Sequence, residues 1–251
     1  MFEVDCARLY FCDDIEIKEG LALRVPRLKE IRDFGESLYF SYAQTIASVA
    51  ADMKFQLWKA GVDYTTVEDY DFFIKYLFAL LSSEGFYDGD RGLILKDLSF
   101  KDFDVRLNRK SNELVLYCEE RDLIIDRIAY NQMADIVRQM HFWKRNNETP
   151  ANEFTKRCLI EDAEDEYYAA KNRKFESVLL PYISGLRVIS GAYGDARLVD
   201  DVGIYTLLYD ARRAAHIQNA DAMLHGAYGG FADMSKVDKK NFEIFGNIDF
   251  K

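Results

Sequence analysis

Apolar residues recur at three- and four-residue steps along much of the chain, the spacing that places them on one face of an α-helix. After Pro26, whose missing N–H costs nothing in a first turn, Leu28, Ile31, Phe34, Leu38, Tyr42 and Ile46 predict one helix to about residue 49. A second helix over residues 51–60 is expected to stop at Gly61, which is free to turn left-handed at a helix end. Thr65 and Glu68 have the form of a capping box ahead of a face made by Phe72, Phe73, Tyr76, Leu77, Leu80 and Leu81. The polar, glycine-bearing stretch 82–92 then breaks the periodicity.

Elsewhere the period changes to two. Val105 and Leu107 alternate with polar residues, 109–112 reads as a turn, and 114–117 and 123–125 read as further strands. Residues 7–11 and 15–25 predict an N-terminal hairpin turning at Asp13-Asp14 or Glu19-Gly20. Helical spacing returns with Ile128, Met133, Ile136, Val137 and Met140. Thr149-Pro150 predicts a helix start over 151–174; helices over 176–190 and 202–227 follow, with glycines at 191, 194, 226, 229 and 230 as stops, and a short segment at 241–245 closes the chain. The pattern implies a mainly helical α+β fold: an N-terminal hairpin with helices (1–92), a small antiparallel β-meander (93–128) and a C-terminal helical region (129–251), within one compact domain.

Composition adds a constraint on partners. The chain has 251 residues and a net charge of -10, so it has no general attraction for phosphate backbones or anionic membrane surfaces, and neither nucleic acid nor membrane is an expected partner. The start, Met1-Phe2-Glu3-Val4-Asp5, lacks the basic and apolar regions of a secretory signal. Cys6, Cys12, Cys118 and Cys158 match no zinc or CxxC spacing and read as reduced thiols in a cytoplasmic protein.

Few residues fall into patterns that carry chemistry. Glu161, Asp162, Asp165 and Glu166 contain pairs four apart on one helix face, a spacing that can hold Mg²⁺ or Mn²⁺. With Lys156, Arg157 and Lys171 nearby, the run reads first as a solvated face. His141, His216 and His225 form no HExxH or i,i+4 pair. The glycines at 185–194 and 226–230 fit neither a phosphate-binding loop nor a dinucleotide fingerprint. His141-Phe142-Trp143-Lys144-Arg145 and Arg212-Arg213 are the dense basic clusters, the first expected at a helix C-terminus. No catalytic residue, metal or cofactor is assigned.

The most distinctive stretch is Asn219-Ala220-Asp221, with Leu224, Gly226, Tyr228, Gly229 and Phe231, leading into Lys239-Lys240-Asn241-Phe242. Together with residues 52–64, Asp71-Phe72-Phe73 and residues 147–156, it resembles morphogenesis proteins of tailed phages of Gram-positive hosts. The resemblance implies a non-catalytic tail assembly chaperone in the host cytoplasm, binding the tape-measure protein or another phage structural protein. A structural virion subunit, such as a connector or baseplate piece, and a metal-dependent enzyme using the 161–166 carboxylates are the alternatives. The aromatic surplus, 18 Phe and 16 Tyr, can supply a groove for an apolar helix or simply fill the core. On the last helix Leu207, Leu208, Ala211, Leu224, Tyr228 and Phe231 are expected to pack inward, with Phe231 and Phe242 reaching the core.

A solvated acidic run should bind no divalent metal tightly. Calorimetric titration with Mn²⁺ is expected to show no micromolar binding; a micromolar isotherm lost on changing Asp162 and Glu166 to Asn and Gln would restore the enzyme reading.

Overall fold

The computed structural model describes residues 2–86, 92–109, 111–191, 196–229 and 244–246. The helices are α1 (Cys6–Tyr10), α2 (Leu28–Phe34), α3 (Glu36–Ala47), α4 (Lys54–Lys59), α5 (Asp69–Phe72), α6 (Phe78–Leu81), α7 (Arg127–His141), α8 (Glu153–Lys171), α9 (Leu179–Ser190), α10 (Ala196–Val199) and α11 (Ile204–Tyr228). Strands β1 (Ile15–Lys18) and β2 (Leu21–Leu23) form a hairpin, and β3 (Asp104–Asn108), β4 (Glu113–Cys118) and β5 (Leu123–Ile125) form an antiparallel meander in the order β3-β4-β5. The fold is a mainly helical α+β arrangement with two small antiparallel sheets. The last two strands join the helical core: Leu116 of β4 and Leu123 and Ile125 of β5 belong to the same buried cluster as Tyr42, Phe73 and Met133.

The pair α3–α7 lies at the centre. Phe73 stacks on Tyr130 of α7 at 4.2 Å between ring centroids, and Tyr42 of α3 meets Phe100 edge-on at 6.1 Å. Such ring pairs add to the area they bury. Polar groups of α7 also reach the end of α3. Tyr130 donates to the Ile46 carbonyl at 3.2 Å, and Arg138 donates through Nε to the Ala47 carbonyl at 3.0 Å. These carbonyls belong to the last turn of α3, where no intrahelical donor is available.

Departures from the expected elements have local causes. Residues 7–11 were expected as a strand, but Asp5 accepts from the Ala7 N–H at 2.9 Å and caps α1, so the hairpin is β1–β2 alone, turning at Glu19-Gly20 with Gly20 at φ +80°. The single helix expected after Pro26 is two, because Gly35 takes φ +101° between α2 and α3. That break resets the helical phase, so Tyr39 is buried and Leu38 is exposed. A π-helical turn over Phe73–Leu77 has the same effect between α5 and α6, burying Ile74 and Phe78 and leaving Tyr76 and Leu80 outside. Thr65 caps nothing: Asp63 accepts from the Thr65 N–H at 3.0 Å in a short 3₁₀ turn, and α5 begins after Glu68. The helix expected from Thr149-Pro150 starts later, where Asn152 accepts from the Thr155 N–H at 2.9 Å. Val105, Leu107 and Ile128 are exposed. On α11, Leu207 is buried but Leu224 only half-buried, and Tyr228 is 87% exposed. Phe231 and Phe242 lie outside the described residues.

Gly61 does end α4 as expected, at φ +74°. The start of α11 is clamped to the start of α2. The free amides of Leu28 and Lys29 bond to the carbonyls of Val202 (2.9 Å) and Asp200 (3.1 Å), and the Ile204 amide bonds back to Pro26 (2.9 Å). Gly203 sits inside this clamp, where a Cβ would lie 2.3 Å from Cys12 Sγ and 3.2 Å from Val25 Cγ1. Gly203→Ala is therefore expected to cost about 1–3 kcal/mol, the range for overpacking a filled site. Chemical denaturation should show that loss and its partial recovery in the Gly203→Ala/Cys12→Ala double variant. An unchanged midpoint in the single variant would show that the clamp is not tightly packed.

Candidate functional site

The residues singled out from the sequence do not converge. Glu161, Asp162, Asp165 and Glu166 are exposed on α8, and among the described residues no group of three His, Cys, Asp or Glu side chains is placed to hold a metal ion. His225 lies beside Asp221 at 3.5 Å on the exposed side of α11, His216 is half-buried on the same helix, and His141 is on α7. All four cysteines are free, Cys6 exposed and Cys118 buried.

His141 is a core residue. Its Nδ1 lies 2.7 Å from the Val137 carbonyl and its Nε2 lies 2.7 Å from the Tyr39 hydroxyl. A carbonyl can only accept, so Nδ1 carries the proton and Nε2 accepts from Tyr39. The ring stacks on Trp143 at 4.3 Å. Burial pushes the imidazole down to about 4, only partly offset by the bond to Val137.

After α7 the chain turns through Phe142, which takes φ +56°, into an irregular strap over residues 143–152. Polar groups fasten the strap to the helices beneath it. Arg145 makes a forked pair with Asp69 at 2.9 and 3.0 Å, Asn146 donates to Asp52 at 2.9 Å, and Glu148 pairs with Lys54. Cavities open on both sides of it. One, of about 300 Å³, runs past Tyr64 and residues 145–150. The other, of about 400 Å³, lies between the strap, the end of α7, α1 and α11, with Leu9, Phe142, Trp143 and Tyr205 among its walls and Cys6 at its side. A larger groove of about 760 Å³ beside α3 mixes polar walls, Ser41, Gln44 and Ser48, with apolar ones, Met53, Leu80 and Trp143.

Tyr64 lines the first cavity and Tyr205 the second, and the buried hydroxyl of each has no hydrogen-bond partner among the described residues. Buried hydroxyls are normally satisfied, but each of these has less than 1 Å² of accessible area and so does not open onto its cavity. Burial, and after it the neighbouring Cys6 side chain, pushes the Tyr205 phenol far above its ordinary range, so it stays a donor. The sequence gives part of this site: Trp143, Lys144 and Arg145 stood out as a basic aromatic cluster. It gives no sign of Tyr205 or Cys6, which α1 and α11 bring together through the bonds Tyr10–Asp210 (3.0 Å) and Thr206–Tyr10 carbonyl (2.7 Å).

A second surface is apolar and open. α9 packs against α11 through Leu186, yet Val178, Leu180, Tyr182, Val188 and Ile189 are exposed, Val188 to 84%. The N-terminus of α9 is held by Glu36, whose carboxylate accepts from the Leu179 amide at 2.9 Å and the Ser177 hydroxyl at 2.7 Å. Among the described residues no helix is long and apolar enough to cross a membrane. No protein-family model, curated protein or solved structure matches the chain.

The neutral His141 makes stability depend on pH. Its folded pKa lies below the ordinary 6.5, so its contribution is complete above that value and is lost as pH falls toward 4. A depression of that size corresponds to about 3 kcal/mol. Denaturant midpoints measured from pH 7 to 4 should fall more steeply for the native chain than for His141→Gln. Parallel slopes for the two proteins would show that His141 is not held neutral.

Proposed function

We propose that the protein is a non-catalytic assembly factor of a tailed phage that works in the host cytoplasm, and that the outer side of α9 holds an apolar helical segment of a tail protein, the tape-measure protein first among them. The observation that carries this reading is the exposed apolar side of α9. An amphipathic helix docks on such a surface through anchors at helical spacing. Burying four large side chains of this kind supplies roughly 6–12 kcal/mol before the costs of association, at about 1.5–3 kcal/mol each. The resemblance of the C-terminal stretch to phage morphogenesis proteins names the partner class. The acidic balance is consistent with a protein partner rather than nucleic acid.

Co-expression with the tape-measure protein of the same genome tests the reading. A complex is expected on size exclusion, and Val188→Asp/Ile189→Asp should weaken it at least tenfold without lowering the melting temperature. The protein should also be absent from purified particles. Presence there at fixed stoichiometry would make it a structural virion subunit instead, and equal capture by the double variant would remove α9 as the docking face.

A further inference from the structure

We propose that the free edge of β3 pairs antiparallel with β3 of a second copy of this chain, joining the two meanders into one sheet about a twofold axis at Val105. In an antiparallel ladder alternate residues of an edge strand aim their N–H and C=O groups away from the sheet. β3 is such a strand. It pairs with β4 over five consecutive residues without a register shift, and the backbone of residues 104–107 makes no other hydrogen bond to a described residue. Other strand edges are taken. At β5, Tyr70 donates to the Ile125 carbonyl at 2.8 Å and Lys18 to the Ile124 carbonyl. At β2, the Arg24 amide bonds to the Ile94 carbonyl and the Lys96 amide to the Ala22 carbonyl, each at 2.9 Å. Edge strands are commonly guarded by proline, lysine or a bulge, and residues 104–108 contain none of these.

The side chains of β3 select the occupant. Val105 and Leu107 share a face with Leu116 and Leu114 of β4, both packed on the core, yet they are 42% and 55% exposed, so β3 overhangs the core. The other face carries Asp104 and Arg106. The Arg106 guanidinium lies over the Tyr117 ring at 4.4 Å and pairs with Glu119 at 2.5 Å. Asp104, its side chain 77% exposed, has among the described residues only Arg106 of its own strand as an ionic partner, at 3.9 Å. With Val105 opposite Val105 of the second copy, Asp104 of each chain faces Arg106 of the other, and Leu107 lies across from Phe103 on the inner face. Centring the pair one residue further on sets Arg106 against Arg106, and like charges directly opposite are destabilising. The strand is thus complementary to itself in the first register. Because β5 is closed, the symmetric pairing uses up the open edge and the assembly stops at two. The surface is separate from α9 and does not depend on the assembly role.

The test is sedimentation velocity of the intact chain from about 1 μM to about 1 mM, the range in which a small interface dissociates. A monomer is expected at the low end and a dimer at the high end. Val105→Lys sets two lysines across the axis and should weaken the dimer at least tenfold. The melting temperature should not change, because Val105 is already exposed. Asp104→Arg and Arg106→Asp should each weaken self-association to a similar degree. Mixing these two variants should restore a dimer, now of one chain of each, because both cross-strand pairs are again of opposite charge. Val188→Asp/Ile189→Asp on α9 should dimerise like the native chain. A native chain that stays monomeric at about 1 mM overturns the proposal. So does a dimer that survives Val105→Lys or Asp104→Arg, a mixture of the two charge variants that stays monomeric, or a dimer lost in the α9 variant. Should the β3 variants fail to fold, the native chain decides the matter by amide exchange. Exchange in residues 104–108 should slow severalfold from the lowest to the highest concentration, and exchange there independent of concentration overturns the proposal.

Discussion

The structure depends on how α7 closes the end of α3. Helix ends leave carbonyls without partners, and a buried end without donors is costly. Here Tyr130 and Arg138 of α7 supply them, to Ile46 and Ala47. Tyr39 and His141 add a third polar link between the same helices. Arg138 is buried, and its charge is met by Asp135 at 3.0 Å. A buried charge of this kind stabilises little against an apolar replacement but penalises any arrangement that leaves it unpaired. Asp135 lies on α7 itself, so it is the two Arg138 bonds to the Ala47 carbonyl that tie this side chain to α3. Other parts hang from this pair. Asp135 also accepts from the Phe2 amide at 2.7 Å, Gln139 accepts from Val4 at 2.9 Å, and the strap begins where α7 ends.

The same logic separates the two surfaces with functional promise. The cavity under the strap is walled by elements locked to α7. α9 is attached differently. Glu36 holds its N-terminus and Leu186 its inner side, and most of its apolar residues face outward. An apolar helix held at one end and one edge is suited to a partner that completes its burial.

Much of the architecture was legible in the sequence. The meander between residues 104 and 125, the hairpin at Glu19-Gly20, the amphipathic α7 and the end of α4 at Gly61 all follow from period and turn chemistry. The errors take two physical forms. A single residue, Gly35, or a single π turn, at Phe73–Leu77, shifts a helix's phase, and the apolar pattern on either side looks continuous in sequence. Helix starts were misplaced where a nearer polar side chain captured the free amides, as Asp5, Asp63 and Asn152 do. The candidate site was less legible. The acidic run stands out in composition but is exposed, whereas Tyr205 and Cys6 are far apart in the chain and meet only through the docking of α1 on α11. Nothing in spacing marks a tyrosine whose hydroxyl will lack a partner.

A clasped α3–α7 core and an exposed apolar α9 are the two ends of the proposed design. Hydrogen–deuterium exchange on the intact chain, alone and with the tape-measure protein, tests both halves at once. In the isolated protein the amides of α3 and α7 should be the slowest to exchange and those of α9 markedly faster; addition of the partner should slow α9 while leaving α7 unchanged. Exchange in α9 as slow as in α7, or unaltered by the partner, would contradict it.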